Sequence, residues 1–265
     1  MHFKDKVALV TGGGSGIGKE TAMQFANHGA KVAIFDVNQA ALEATHGGLK
    51  SITEDAIAIL GDASQKDNVE ACVAKVMERF GTVDYLINSA GILRDGLIAK
   101  ISEADFDAVI ATNLKGVFLF TQACVKAWTK VPLEKIKAAK AASKPAPNPA
   151  DFPDKRIVNI SSMAAEGNIG QVAYAASKAG VLGITKTAAK ELIQYNIKVH
   201  AIQPTLIDTP IIGDLLTKEE GKWKKYYEGR IPLGIGKPKH VADTILWLCS
   251  DESNFMTGNV IQLNG

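Results

Sequence analysis

The sequence predicts an α/β fold, a doubly wound parallel sheet with helices on both faces, formed by residues 1–265 as a single domain. Three observations predict it. Short β-branched runs alternate with longer helical patterns along the whole chain, as a parallel sheet requires. A glycine-rich turn follows the first of these runs directly and opens a helix. And 265 residues with 46% hydrophobic content can bury one substantial core without dividing.

The elements follow in order. "KVALVTG" (6–12) is the first strand, with a helix opening near Ser15. "KVAIFD" (31–36) precedes a helix from about residue 39, and "AIAILGD" (56–62) precedes one across 67–80. "DYLINSAG" (84–91) leads to helical stretches near 103–129. "RIVNISS" (156–162) leads to a helix containing "YAASKAGVLG", and "IKVHAIQP" (197–204) to a loop and the helical run 214–228. A helix near 239–250 and a last strand, "NVIQL", close the chain. The crossovers are expected to be right-handed. Residues 131–155 break this rhythm. Their first part can be helical, but the repeated prolines from Lys144 onward favour an extended connection, so the segment reads as a Lys/Pro-rich insertion.

Composition excludes several functions. A net charge of +2 gives no reason to expect nucleic acid or a membrane surface as partner. The start, "MHFKDKVALV", has too short an apolar run for a signal peptide or a membrane span, so a cytoplasmic protein is expected. Cys72, Cys124 and Cys249 form no CxxC pair and read as free thiols in a reducing compartment. The histidines at 2, 28, 46, 200 and 240 show no ligand spacing, and no metal site is expected.

"TGGGSGIG" (11–18) lies between a strand and a helix. Glycines at 12, 16 and 18 permit a tight turn and close approach of a diphosphate to the amides that open the helix. Asp36 closes the second strand, eighteen residues past Gly18. A carboxylate there can accept hydrogen bonds from both adenosine ribose hydroxyls and would repel a 2′-phosphate. No Lys or Arg stands at Gly13, Gly14, Ser15, Val37 or Asn38 to receive that phosphate, which favours NAD over NADP. Alternatively Asp36 only starts a turn, with Asn38 a rival for capping the next helix. In "YAASK", Tyr174 and Lys178 are four residues apart and share a helix face, the spacing of a proton donor and the cation that tunes it, or of a surface pair.

With "TGGGSGIG", "GD" at 61–62, "NSAG" at 88–91, "TNLKGVF" at 112–118, "NISS" at 159–162, "YAASK" at 174–178 and "QPTLIDTP" at 203–210, the chain resembles the short-chain dehydrogenase/reductase family over nearly its whole length. The resemblance implies a Rossmann-like fold and four catalytic residues. Tyr174 would be the general acid–base and Lys178 would lower its pKa and hold the nicotinamide ribose. Ser162 would bind the substrate oxygen, and Asn113 would hold a water of a proton relay. It also implies that NAD is held by Gly12, Ser15, Gly16, Ile17, Gly18, Asp36, Val37, Asp62, Ala63, Asn88, Ala90, Gly91, Pro204, Ile207 and Thr209, with Tyr174 and Lys178. In that set Asp62 would meet the adenine amino group, Asn88 and Gly91 would back the cofactor at the fourth strand, and Thr209 would hold the carboxamide.

Three positions depart from the family pattern. Ser89 stands where a second asparagine is usual, which could soften a hydrogen bond at the strand end. Thr205 replaces a glycine near the nicotinamide. Ser161, rather than Ser162, has the usual distance to Tyr174. Ser162 is nevertheless the expected catalytic serine, because the small Ala164 and Ala165 follow it and a shortened loop at 166–170 explains the count.

The loop after the sixth strand would cover the substrate. Leu206, Ile211, Ile212, Leu215, Leu216, Trp223, Tyr226 and Tyr227 make it an apolar, aromatic lid, which suits a hydrophobic substrate. "NSAGILRDGLI" and "NLKGVF" look most like the 3-oxoacyl thioester reductases and 3-hydroxyacyl-CoA dehydrogenases of the family. Cyclic, aromatic or steroid alcohols remain open, as does a nucleotide-binding regulatory or scaffold protein without turnover. Small and apolar residues on helices 103–129 and 174–194 resemble the family's subunit contact and imply a homotetramer.

Overall fold

The structure is a computed structural model that describes residues 2–213, 225 and 228–265. Seven parallel strands form one sheet: β1 (Val7–Thr11), β2 (Lys31–Asp36), β3 (Ala56–Leu60), β4 (Tyr85–Asn88), β5 (Lys155–Ile160), β6 (Ile197–Pro204) and β7 (Val260–Leu263), in the order β3-β2-β1-β4-β5-β6-β7. Between them lie α1 (Gly16–Asn27), α2 (Gln39–Lys50), α3 (Lys66–Phe80), α4 (Glu103–Ile110), α5 (Gly116–Trp128), α6 (Lys130–Ala141), α7 (Val172–Leu192) and α8 (Pro238–Leu248).

Every residue of β1, β4, β5 and β6 is buried, because helices cover both faces of the sheet. Alternate side chains feed two cores. Ala8, Val10, Val32 and Ile34 pack with Phe25 of α1, Leu42 and Leu49 of α2 and Ile245 of α8. Val7, Leu9, Ala33 and Phe35 pack with Val69 and Val73 of α3, Phe120 and Cys124 of α5 and Ala189 of α7. The strand order reverses between β1 and β4, so a crevice opens there beyond the carboxyl ends of the strands.

Two segments stand apart from simple helical periodicity. Ala111–Lys115 is a π-helical turn joining α4 to α5. The stretch Glu103–Trp128 is long and apolar enough to cross a membrane by composition, but Leu119, Phe120 and Cys124 of α5 pack beneath the sheet, which makes it a core helix. In the insertion, α6 carries Pro132 in its first turn and ends at Ala141, before the prolines that follow Lys144, and a single 3₁₀ turn at Pro149–Asp151 precedes β5. The insertion enters β5 at its amino end, on the opposite edge from the crevice, with Lys135 over the Phe152 ring at 5.9 Å.

All three thiols are buried and unpaired. Burial pushes Cys72 up to about 12 and raises Cys124 and Cys249 as well. Thiols in the unfolded chain ionise near 9.0 while these keep their protons, so the unfolded state binds fewer protons and stability falls as pH rises past that value. Each thiol then costs about 1 kcal/mol between pH 9 and 10. We expect Cys124→Ala to lose one such share of the alkaline decline. Urea unfolding at pH 8, 9 and 10 measures it, and parallel declines in the two proteins would contradict the assignment.

Candidate functional site

The crevice holds two adjoining cavities. The first, about 530 Å³, is lined from Asp36, Val37, Asp62 and Ala63 at one end, past Gly12, Ser15, Gly16, Ile17, Gly18, Ala90 and Gly91, to Tyr174 and Lys178. The second, about 600 Å³, is lined by Ser162, Tyr174, Pro204, Thr205, Leu206, Ile207, Ile211 and Ile212 among others. Ile17, Ile160, Tyr174, Thr209 and Ile211 border both.

The glycine turn is built by close packing. Gly12 has φ +66°, and a Cβ there would lie 2.9 Å from the Ala90 Cα. At Gly18 a Cβ would run into the Gly12 carbonyl. Ser15 is the extended residue before α1 and its side chain makes no cap hydrogen bond. The first amides of α1 thus face the cavity with the helix's partial positive charge behind them.

Asp36 does more than end β2. Its Oδ2 accepts from the Gly14 amide at 2.9 Å and its Oδ1 from the Asn38 amide at 2.9 Å. Asn38 caps α2 by accepting from Ala41 at 3.1 Å, so capping does not occupy Asp36. Asp62 is oriented by the Ser64 amide at 2.8 Å. Asp36, Asp62 and Lys178 are the charged side chains lining this cavity among the described residues, and the sole cation is at the Tyr174 end.

Asn88 does not line either cavity. It is buried, donates to Asn159 Oδ1 at 2.8 Å and to Thr121 Oγ1 at 3.4 Å, and leaves its own Oδ1 without a partner among the described residues. The neighbouring Ser89 and Ala90 reach the cavity instead. Their amides donate to Thr11 Oγ1 at 3.0 and 3.1 Å, which ties the end of β4 to β1. Ser89, in place of asparagine, leaves this tie intact because it is made by the backbone.

The face of α7 brings Tyr174 and Lys178 together, with the Lys178 Nζ 5.4 Å from the phenol ring centroid. Lys178 Nζ donates to the Ile160 carbonyl at 2.7 Å. Burial lowers its pKa to about 8. Tyr174 is raised, mainly by burial; a hydrogen bond with Ser162 opposes the rise and the Asp95 carboxylate adds to it. The two candidate serines have separate places. Ser161 is buried and donates to the Lys178 carbonyl at 2.8 Å. Ser162 lies beside the phenol and counters the rise of its pKa; it accepts from the Ala164 amide at 3.1 Å, and Gln203 fixes its carbonyl at 3.1 Å.

Asn113 sits in the π turn and is fully buried. Its Oδ1 accepts from the Ile92 amide at 2.8 Å and its Nδ2 donates to the Ile92 carbonyl at 3.0 Å. A Cβ on Gly91 would lie 3.4 Å from Asn113 Oδ1 and 3.7 Å from Lys178 Nζ, so Gly91 lets the two groups approach. Thr209 contacts the glycine turn, 3.2 Å from a Cβ on Gly16, and donates to the Ile207 carbonyl at 3.2 Å. Pro204, Thr205 and Ile207 stand on the wall of the second cavity. Of the expected lid, Leu206, Ile211 and Ile212 are there too, whereas Leu215, Leu216, Trp223, Tyr226 and Tyr227 lie outside the described residues.

Thr11, Thr112, Asp95, Asn168 and Gln171 were not singled out by sequence reasoning, although Thr112 lines the first cavity and the last three line the second. Thr112 lies in "TNLKGVF" and Asp95 in "NSAGILRDGLI", and Gln171 closely precedes "YAASK"; membership of these stretches was the available signal.

The residues present fit a dinucleotide, on three counts. A close-packed glycine turn lies at the start of α1, a carboxylate pair marks one end of the cavity, and a buried lysine marks the other. Comparison with known proteins agrees. A family model described as short chain dehydrogenase matches residues 6–137, and one described as Enoyl-(Acyl carrier protein) reductase matches residues 135–265. The chain is 40% identical to the 3-oxoacyl-(acyl-carrier-protein) reductase FabG of Thermotoga maritima, covering 100% of this chain and 98% of that protein. It is 36% identical to the (2S)-[(R)-hydroxy(phenyl)methyl]succinyl-CoA dehydrogenase subunit BbsD of Thauera aromatica, covering 100% and 97%. Among solved structures, levodione reductase matches with a TM-score of 0.85 at 30% identity, covering 100% of this chain and 98% of that one. The 3-ketoacyl-(acyl-carrier-protein) reductase from Brucella melitensis complexed with NADH matches at 0.83 and 30%, covering 99% and 98%.

Proposed function

The chain belongs to the short-chain dehydrogenase/reductase family, whose chemistry is ketone–alcohol redox, and we propose that it is an NAD-dependent enzyme acting on a hydrophobic or acyl-thioester hydroxy compound such as a 3-hydroxyacyl-CoA. The observation that carries this reading is the position of Tyr174. It stands between a cavity that suits a dinucleotide and a second, largely apolar cavity that Ser162 also lines.

A bound nicotinamide would supply the hydride acceptor for the carbinol carbon and a positive charge beside the phenol. The hydroxyl proton goes to Tyr174 as the C–O bond becomes a carbonyl. Burial opposes the phenolate that this requires, so positive charge from Lys178 and the cofactor ring must offset it. Ser162 holds the substrate oxygen where charge develops. Lys178, anchored on the Ile160 carbonyl, orients the ribose, and Asn113 keeps the Ile92 segment beside it, where a relay water would sit. Of the other expected contacts, Gly12, Ser15, Gly16, Ile17, Gly18, Ala90 and Gly91 would cradle the diphosphate and ribose. Asp36, Val37, Asp62 and Ala63 would hold the adenosine, and Pro204, Ile207 and Thr209 the nicotinamide. Asn88 would act only through the backbone of the turn above it.

The test is NADH absorbance at 340 nm with NAD and a panel of secondary alcohols that includes a 3-hydroxyacyl-CoA. Absence of turnover across the panel, with NAD still bound, would favour a regulatory or scaffold role. The serine assignment has its own expected result: Ser162→Ala should lower kcat at least about tenfold more than Ser161→Ala, because only the former removes a hydroxyl beside the reacting oxygen. The reverse order would overturn it. We further propose a homotetramer of symmetric dimers in the cytoplasm. Phe106 on α4 and Phe118 on α5 leave aromatic surface exposed, which supports a covered face. Light scattering should give four times the 28.2 kDa chain mass; a monomer at micromolar concentration would exclude the assembly.

A further inference from the structure

The second cavity carries one charged side chain among its described lining residues, and it is acidic: Asp95. Its neighbours there are otherwise apolar or neutral, with Leu93, Leu206, Ile207, Ile211 and Ile212 supplying the hydrocarbon wall. Asp95 is exposed at the rim, yet it is held in place. Gln171 Nε2 donates to Asp95 Oδ2 at 3.0 Å, and Gln171 Oε1 accepts from Asn168 Nδ2 at 2.8 Å. Beneath these side chains the Gly96 amide donates to the Gly170 carbonyl at 2.7 Å, which pins the loop after β4 to the loop before α7. The carboxylate is therefore held by Gln171 in the lining of the cavity that Ser162 and Tyr174 also line. It also acts electrostatically on the Tyr174 phenol, which places its field at the reacting oxygen.

We propose that Asp95 is a specificity-determining residue. It rejects substrates that carry a free carboxylate two carbons from the reacting carbon, so the site takes 3-hydroxyacyl and 3-oxoacyl groups as neutral esters or thioesters and refuses the free acids. This rests on the second cavity being the substrate cavity of the proposed dehydrogenase. The physical basis is simple. A 3-oxo acid bound with its ketone on Ser162 and Tyr174 must place its carboxylate two carbons away, inside a cavity whose described lining offers it no cation. Two like charges brought together at a partly hydrated rim repel each other. An ester or thioester of the same acid has the same reacting carbon and no such penalty.

The experiment compares acetoacetate with methyl acetoacetate as oxidants of NADH, followed at 340 nm. In each turnover one hydride moves from NADH to the ketone carbon and one proton from Tyr174 to its oxygen. The wild-type enzyme should show a kcat/KM ratio of ester over acid that falls about tenfold in Asp95→Asn, chiefly through a gain with the acid. Asparagine keeps an acceptor for Gln171, so the bracket is preserved. Raising salt from low to high should narrow the wild-type ratio through screening and have less effect on the variant's ratio. A binding readout accompanies this: saturation-transfer NMR on Tyr174→Phe with NAD should detect the ester, and the acid only once Asp95→Asn is added. If the ester is reduced and the ratio stays within twofold of wild type in Asp95→Asn, the inference is overturned. If neither protein reduces any ketone or oxidises any alcohol, the dehydrogenase reading itself fails and the inference falls with it.

Discussion

Tyr174→Phe should lower kcat for alcohol oxidation by between about 10²- and 10⁴-fold, the range expected when a general acid–base is removed. The substitution deletes one oxygen and keeps the ring, so the packing that buries the residue persists. Lys178 keeps its bond to the Ile160 carbonyl, which does not involve the phenol. The affinity for NAD should therefore stay within about threefold, measurable by fluorescence titration. Ser162 loses a partner but is still oriented by the Ala164 amide and by Gln203 on its carbonyl. The two readouts separate the roles. A fall in kcat with binding kept identifies a group that acts on the reacting proton. A parallel loss of NAD affinity would show that the phenol mainly shapes the cofactor site. A near-normal kcat would overturn the assignment.

Much of this site was readable in the sequence because its parts are local. Tyr174 and Lys178 share a helix face by spacing alone, the glycine turn follows a fully buried strand, and Asp36 ends the next one, whose interior is buried. Choosing Ser162 over Ser161 relied on a loop-length argument, and the structure supplies the physical reason for their difference. Successive residues of an extended segment point to opposite sides, so Ser161 turns toward the backbone of α7 while Ser162 faces Tyr174. The same alternation sends Asn88 inward to Asn159 and Thr121, behind the turn that reaches the cavity through Ser89 and Ala90. Asn113 reaches the Ile92 backbone from a π turn, which a 3.6-residue period does not anticipate. The Asp95–Gln171 bracket joins residues 76 apart in sequence, so their pairing is not visible in either residue's own neighbourhood.

NAD should be preferred over NADP by about 100-fold in kcat/KM, and Asp36→Ala should reduce that preference to about tenfold or less. The carboxylate stands at the end of the first cavity away from Lys178, and no cationic side chain lines that end among the described residues. A 2′-phosphate placed beside it would meet like charge, at a cost of about 1–4 kcal/mol at short range. Removing the carboxylate lifts this repulsion, but the change also has a cost for NAD. The ribose hydroxyls lose their acceptor, and the Gly14 amide loses the oxygen that now holds it at 2.9 Å. The narrowing should therefore have two sources, a rise with NADP and a fall with NAD. Asp36→Asn distinguishes them, since it keeps an acceptor for Gly14 while deleting the charge. If repulsion dominates, Asn should raise activity with NADP as much as Ala does, with a smaller loss toward NAD. A wild-type enzyme that turns over better with NADP would show that the carboxylate serves the Gly14 turn alone, and the electrostatic argument would be wrong.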